Sequence, residues 1–121
     1  MCRKRGCIVM SNVVFSNSFK LKKEVSVPDF LYAINELTDE IASKHKGFIS
    51  FRLHVDGETW MDYAVFETMD DLDAFLASSE AAKESGTNDL AERFYSFCDF
   101  TDSESHKFII EMKKEFTRPK D

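Results

Sequence analysis

From Val13 to Leu21 the odd positions Val13, Phe15, Phe19 and Leu21 are apolar around a single amide, Asn17, while Ser16, Ser18 and Lys20 occupy even positions. This period of two predicts a strand with one face turned to the core. The next apolar set, Phe30, Leu31, Ile34, Leu37 and Ile41, recurs with the period of a helix. Ser26-Val27-Pro28-Asp29 supplies its start, with Ser26 as N-cap, and Lys44-His45-Lys46-Gly47 supplies cations and a glycine for its end.

Alternation returns over residues 48–55 and again over 59–67, with Asp56-Gly57 between them, so a hairpin is expected. One added loop residue or a bulge would pair Phe51 with Tyr63, Leu53 with Met61, Ile49 with Val65, and Arg52 with Asp62 as an ion pair. That register is preferred because it keeps the Asp62 carboxylate away from an apolar partner. It makes one face wholly apolar and the other mixed, with Phe48, Ser50, Arg52 and His54 set against Trp60, Asp62, Ala64 and Phe66.

Thr68-Met69-Asp70-Asp71 is a second capping signal, followed by Leu72, Phe75 and Leu76 on one helical face and continuing to Gly86. Asn88 caps a further helix through Leu90, Phe94, Phe97 and Cys98. Residues 101–105 read as a loop before a last strand with Phe108, Ile110, Met112 and Phe116 on one side. The order is β-α-β-β-α-(α)-β. It predicts an α+β, ferredoxin-like fold: a four-stranded antiparallel sheet with helices on one face. Residues 1–10 match nothing that follows and read as a disordered or mis-assigned tail, residues 11–117 as one domain, and residues 118–121 as a loose end.

Composition alters this picture in one respect. The chain has 12 Phe but only 4 Gly and 2 Pro in 121 residues. Phe15, Phe19, Phe48, Phe51, Phe66, Phe108 and Phe116 fall on strands, more than one covered face requires, so the sheet is expected to be buried on both sides, the second by another copy of the chain. A net charge of −6 without a basic stripe argues against nucleic acid as a partner. No apolar run approaches the roughly 20 residues of a membrane span. Cys2, Cys7 and Cys98 are odd in number and lack zinc or C-x-x-C spacing, which fits free thiols in a reducing compartment, hence a cytoplasmic protein. His45, His54 and His106 are scattered, so no metal site is expected, and no nucleophile elbow, phosphate loop or dinucleotide fingerprint is present.

The stretch Gly47-Phe48-Ile49-Ser50-Phe51-Arg52-Leu53, with Tyr63-Ala64-Val65-Phe66-Glu67-Thr68-Met69-Asp70-Asp71-Leu72, resembles the antibiotic-biosynthesis-monooxygenase-like members of the dimeric α+β barrel superfamily, over roughly residues 12 to 116. The resemblance implies two ferredoxin-like subunits with their sheets pressed together, each half holding an interior pocket. It further implies cofactor-independent oxygenation of polycyclic phenols, or haem degradation. Haem degraders use an asparagine placed as Asn17 is, a tryptophan where Phe75 stands, and a histidine near Ser85, so two of their three groups are missing here. The tryptophan that many relatives carry at the end of the third strand is Phe66.

Asn17 is the one polar side chain on its strand face and is the candidate to hold a substrate oxygen. His54 is the candidate base for a phenol. Trp60, Phe66, Phe75, Tyr63 and Arg52 are the candidate substrate-binding residues. The expectation is a homodimer that binds an aromatic or polycyclic molecule and oxygenates it without a bound cofactor. The alternative is a non-catalytic binding or assembly module of the same fold.

Overall fold

The computed structural model describes residues 12–85 and 89–116. The expected tails at 1–10 and 118–121, the domain limits at 11 and 117, Cys2, Cys7, the helix end at Gly86 and the Asn88 cap lie outside them. The elements are β1 (Val13–Leu21), α1 (Val27–Glu40), β2 (Phe48–Asp56), β3 (Thr59–Phe66), α2 (Met69–Ser85), α3 (Asp89–Phe97) and β4 (Cys98–Ile109). The strands form one antiparallel sheet in the order β2-β3-β1-β4, the ferredoxin-like arrangement.

The starts of α1 and α2 follow their capping residues. Ser26 Oγ accepts the Asp29 N–H at 3.3 Å, and Thr68 Oγ1 accepts the Asp71 N–H at 3.0 Å, each satisfying an amide that the helix cannot. α1 stops at Glu40, earlier than the cations at 44–46 suggest, and a single 3₁₀ turn, Ala42–Lys44, carries the chain on. Gly47 then adopts φ +82°, and its carbonyl accepts the Glu67 N–H at 2.8 Å, tying the start of β2 to the entry of α2.

The helices cover one face of the sheet, and the apolar odd positions of β1 point to them. Phe19, Phe30 and Phe94 pack together with ring centroids 5.9 to 6.0 Å apart. A second cluster joins Val13, Ala64, Phe66 and Leu72. Arg93 of α3 reaches Glu36 of α1 at 2.9 Å, and Lys107 of β4 reaches Asp73 of α2 at 2.8 Å, both at the exposed margin of the layer.

Three local expectations are corrected. First, the hairpin turn is the two-residue Gly57-Glu58, with Gly57 at φ +63°, so Asp56 pairs with Thr59 and Phe51 lies opposite Ala64. The irregularity falls at Ile49, between Phe48 and Ser50, at the far end of β2. Arg52 therefore faces Tyr63, with its guanidinium 5.7 Å from the ring centre, and makes no cross-strand pair with Asp62. Asp62 instead shares the helix-facing side with Trp60, Ala64 and Phe66.

Second, residues 101–105 are strand. β4 starts at Cys98 directly after α3 and ends at Ile109, leaving Met112 and Phe116 79% and 82% exposed beyond it. The polar residues hold this strand through their own side chains: Ser18 Oγ accepts the Glu104 N–H at 3.2 Å, and Ser105 Oγ donates to Asn17 Oδ1. Register slips between Ser18 and Lys20, so residues 100–103 bulge opposite Phe19. Third, the phenylalanines are not divided between two buried faces. Phe15, Phe19, Phe51 and Phe66 all turn to the helices, and the opposite face carries Val14, Ser16, Arg52, His54, Met61, Tyr63, Val65, His106 and Phe108.

Candidate functional site

Between the helices and the sheet lies a cavity of about 660 Å³. The sheet contributes Phe15 and Asn17 of β1, Phe51 of β2, and Asp62 and Ala64 of β3. The helices contribute Ile34, Leu37 and Thr38 from α1, Phe75 and Leu76 from α2, and Phe94 and Tyr95 from α3. The bulged end of β4 closes one side with Phe100, Ser103 and Ser105. This volume falls in the range of small-molecule pockets, and the mainly apolar wall around a few polar groups has their chemistry.

Asp62 is the unusual member. It is 6% exposed, on an apolar sheet face, and burial pushes its carboxyl up to about 6 from an ordinary value of 3.8. Asn17 opposes that shift. Its backbone N–H donates to Asp62 Oδ1 at 3.1 Å, and its side-chain amide makes a second hydrogen bond to the carboxylate. The Asn17 amide oxygen in turn accepts from the Ser105 hydroxyl. A polar line thus runs from the exposed edge of β4 through Asn17 to a buried acid. Tyr95, across the cavity, is held above the ordinary phenol range by burial first, then by the fields of Glu80, Asp62 and Cys98.

Of the residues singled out from sequence, Asn17 and Phe75 line this cavity. Phe66 is fully buried behind the wall, its ring 5.2 Å from Phe75 and 5.5 Å from Phe48. Trp60 packs edge-on against Phe30 at 5.0 Å, in the core beside the cavity. His54, Arg52 and Tyr63 are together, but on the opposite face, where the His54 ring meets Tyr63 edge-on at 5.2 Å. Sequence reasoning missed Asp62 as a cavity group, along with Phe51, Tyr95, Phe100 and Ser105. The usable signal was parity: Trp60, Asp62, Ala64 and Phe66 alternate with Met61, Tyr63 and Val65, which puts an acid in the apolar series.

Among the described residues the lining set contains no histidine and no cysteine, so these offer neither an imidazole nor a thiolate as an axial ligand for haem iron. Among the described residues, no group of three His, Cys, Asp or Glu side chains could hold a metal ion. Nor is any helix among them long and apolar enough to cross a membrane.

A family model described as antibiotic biosynthesis monooxygenase matches residues 13–84, which hold Asn17, Asp62 and Phe75 but neither α3 nor β4. No curated protein matches the chain. Among solved structures, SnoaB, a cofactor-independent oxygenase from Streptomyces nogalater, is 18% identical over 91% of this chain and 99% of its own, with a TM-score of 0.60. The monooxygenase ActVA-Orf6 of Streptomyces coelicolor, solved with nanaomycin D, is 17% identical over 91% of this chain and 94% of its own, at 0.55. MhuD, solved as a variant with two manganese protoporphyrin IX molecules in each active site, is 16% identical over 86% and 99%, at 0.61. At these identities the structures share a fold with the chain, and the matched family model is what carries membership.

Proposed function

The chain belongs to the antibiotic biosynthesis monooxygenase family, and from that premise we propose that its helix–sheet cavity binds a planar aromatic molecule and oxygenates it without a protein-bound cofactor. The observation that carries this reading is the Asp62 carboxyl, buried among aromatic rings and raised to about 6. A base with such a value is largely ionised at neutral pH yet still basic enough to take a proton from an acidic phenol or an activated ring methylene. Asn17 holds that carboxylate through two hydrogen bonds, and its amide also lies on the cavity wall, within the reach of a substrate oxygen.

The reaction balances without an external reductant. Asp62 removes a proton from the substrate, and the electron-rich anion gives its electrons to dioxygen. One oxygen atom becomes the new ring carbonyl and the other leaves as water, so a CH2 group and O2 yield C=O and H2O. Phe15, Phe51 and Phe75 keep the anion away from bulk water, and their faces suit a flat ring. In this reading the proton goes to Asp62, and His54, on the other side of the sheet, belongs to the surface on which a second copy is proposed to dock. That surface supports a homodimer because Tyr63, Val65, Met61 and Phe108 form a partly apolar sheet face that the helices leave bare.

The deciding experiment is turnover of a tricyclic anthrone by purified protein in air, with no added metal, flavin or nicotinamide. Quinone formation matched by equimolar oxygen uptake, at least about 100-fold lower in Asp62→Asn, is the expected result. Equal turnover by wild type and variant would remove Asp62 from the mechanism.

A further inference from the structure

The charges around the cavity are of one sign. Asp62 lies in the floor and Glu80, solvent exposed, stands at the rim, while among the described residues the lining includes no lysine, arginine or histidine. Among the described residues, neither acid takes part in an ion pair. The fields of both reach Tyr95, so they act on the same enclosed space. Aromatic rings supply most of the remaining wall, and their faces attract cations and repel anions.

We infer that the cavity is a charge filter that selects aromatic molecules carrying a basic nitrogen and refuses those carrying a free carboxylate, with Asp62 and Glu80 as the specificity-determining residues. This rests on the proposal that the cavity is the binding site and goes beyond it in naming the substrate class. A ring-borne ammonium entering the cavity gains a carboxylate at the rim and another in the floor, and it restores to Asp62 part of the stabilisation lost on leaving water. A carboxylated ring meets one like charge at the exposed rim and a second, poorly screened, in the floor, and no described lining residue is a cation to receive it.

Three flat probes of similar size separate the possibilities: 9-aminoacridine as cation, anthrone as neutral ring, and anthraquinone-2-carboxylate as anion. Binding is measured by titration calorimetry at pH 7.5 on wild type, Glu80→Gln, Asp62→Asn and Glu24→Gln. The last lowers the overall negative charge by the same amount as Glu80→Gln, at an exposed site outside the cavity. The expected order in wild type is cation, then neutral ring, then anion, with about tenfold or more between first and last. Glu80→Gln should shrink that ratio by at least about threefold and Asp62→Asn further, whereas Glu24→Gln should leave it unchanged. Equal affinities for the three probes, or a ratio unmoved by Glu80→Gln, would overturn the filter while leaving the cavity as a binding site. Failure of all three probes to bind would overturn the cavity reading and the filter with it.

Discussion

The Asn17 backbone amide donates to Asp62 Oδ1 at 3.1 Å across the two central strands of the sheet, where the residues are direct partners. A ladder position that would ordinarily hold two apolar side chains therefore holds an amide and an acid that satisfy each other. The carboxylate still loses more by burial than it recovers from these bonds, which leaves its pKa raised to about 6. The fold thus holds an ionisable group in a costly state at the centre of its cavity, an arrangement frequent at functional sites.

The first consequence is a stability effect of defined sign. The folded state binds the Asp62 proton more tightly than the unfolded state, whose value is near 3.8. The neutral carboxyl contributes its full stability below about 4, and that contribution is lost as pH rises through about 6. Asp62→Asn cannot ionise. Its unfolding free energy relative to wild type should be nearly unchanged at pH 4 and higher by about 2–3 kcal/mol at pH 7. Urea unfolding at the two pH values, followed by Trp60 fluorescence, measures the difference. A variant less stable than wild type at pH 7 would contradict the burial cost assigned to this carboxylate.

That an acid sits here also explains what could and could not be read from sequence. β1 was legible to the residue, because its alternation and the apolar contacts of Val13 and Phe19 agree. The starts of α1 and α2 were legible because Ser26 and Thr68 cap them with their own side chains. The β2–β3 register was not, because ordinary burial preferences keep a carboxylate such as Asp62 away from apolar groups. The protein instead places Asp62 among them and satisfies it from Asn17, forty-five positions away in the chain. The sequence of β4 reads as a loop over residues 101–105 for a similar reason. Its Ser105 hydroxyl donates to Asn17 and its Glu104 backbone N–H donates to the Ser18 hydroxyl on the neighbouring strand, a partnership that composition does not reveal. Asn17 stands out in the sequence because a lone amide in an apolar series needs partners wherever it lies, and in the structure it lines the cavity.

Under the proposed mechanism the same carboxyl sets the dependence of turnover on pH. Protonated Asp62 cannot accept a substrate proton, so kcat/KM for oxygenation should rise about tenfold per pH unit below the group's pKa and level off above it, with a midpoint near 6. Glu80→Gln, at the exposed rim, should keep that midpoint within about half a unit, since the dominant cause of the shift is burial of Asp62 itself. A rate flat between pH 5 and 7 would show that another group carries the proton.

Gly47 is a strict requirement of the junction between β2 and α2. Its φ of +82° disfavours any residue with a Cβ, and a Cβ built there would lie 2.2 Å from Asp71 Oδ2 in the first turn of α2. Gly47→Ala must either strain the backbone or displace Asp71, whose N–H is the one received by Thr68. The expected loss is about 2 kcal/mol or more by thermal or urea unfolding, exceeding the roughly 1 kcal/mol expected when Thr68→Ala removes only the cap. Gly57→Ala makes an informative comparison. It too has a positive φ, of +63°, but nothing lies within 4 Å of its added Cβ, so it should cost about half as much as Gly47→Ala.

Cys98 tests how firmly α3 and β4 are joined. Its side chain is 3% exposed, packs against Phe19 and Phe94, and donates from Sγ to the Phe94 carbonyl at 3.3 Å. Burial first, then the Asp62 carboxylate, pushes the thiol up to about 12, with Lys22 opposing. The reactive thiolate is therefore scarce at neutral pH, and reagent has no direct access to the sulfur. In a Cys2→Ser/Cys7→Ser background, native protein at pH 8 should react with a disulfide reagent at least about 1,000-fold more slowly than the same protein in urea. Because reaction then requires local opening, the native rate should report on how often the end of α3 separates from β4. Phe94→Ala removes the ring that packs on both Phe19 and Phe30, and it should accelerate labelling by more than tenfold while the rate in urea stays unchanged. Rapid labelling of the native wild type would show that the packing around Cys98 does not hold in solution.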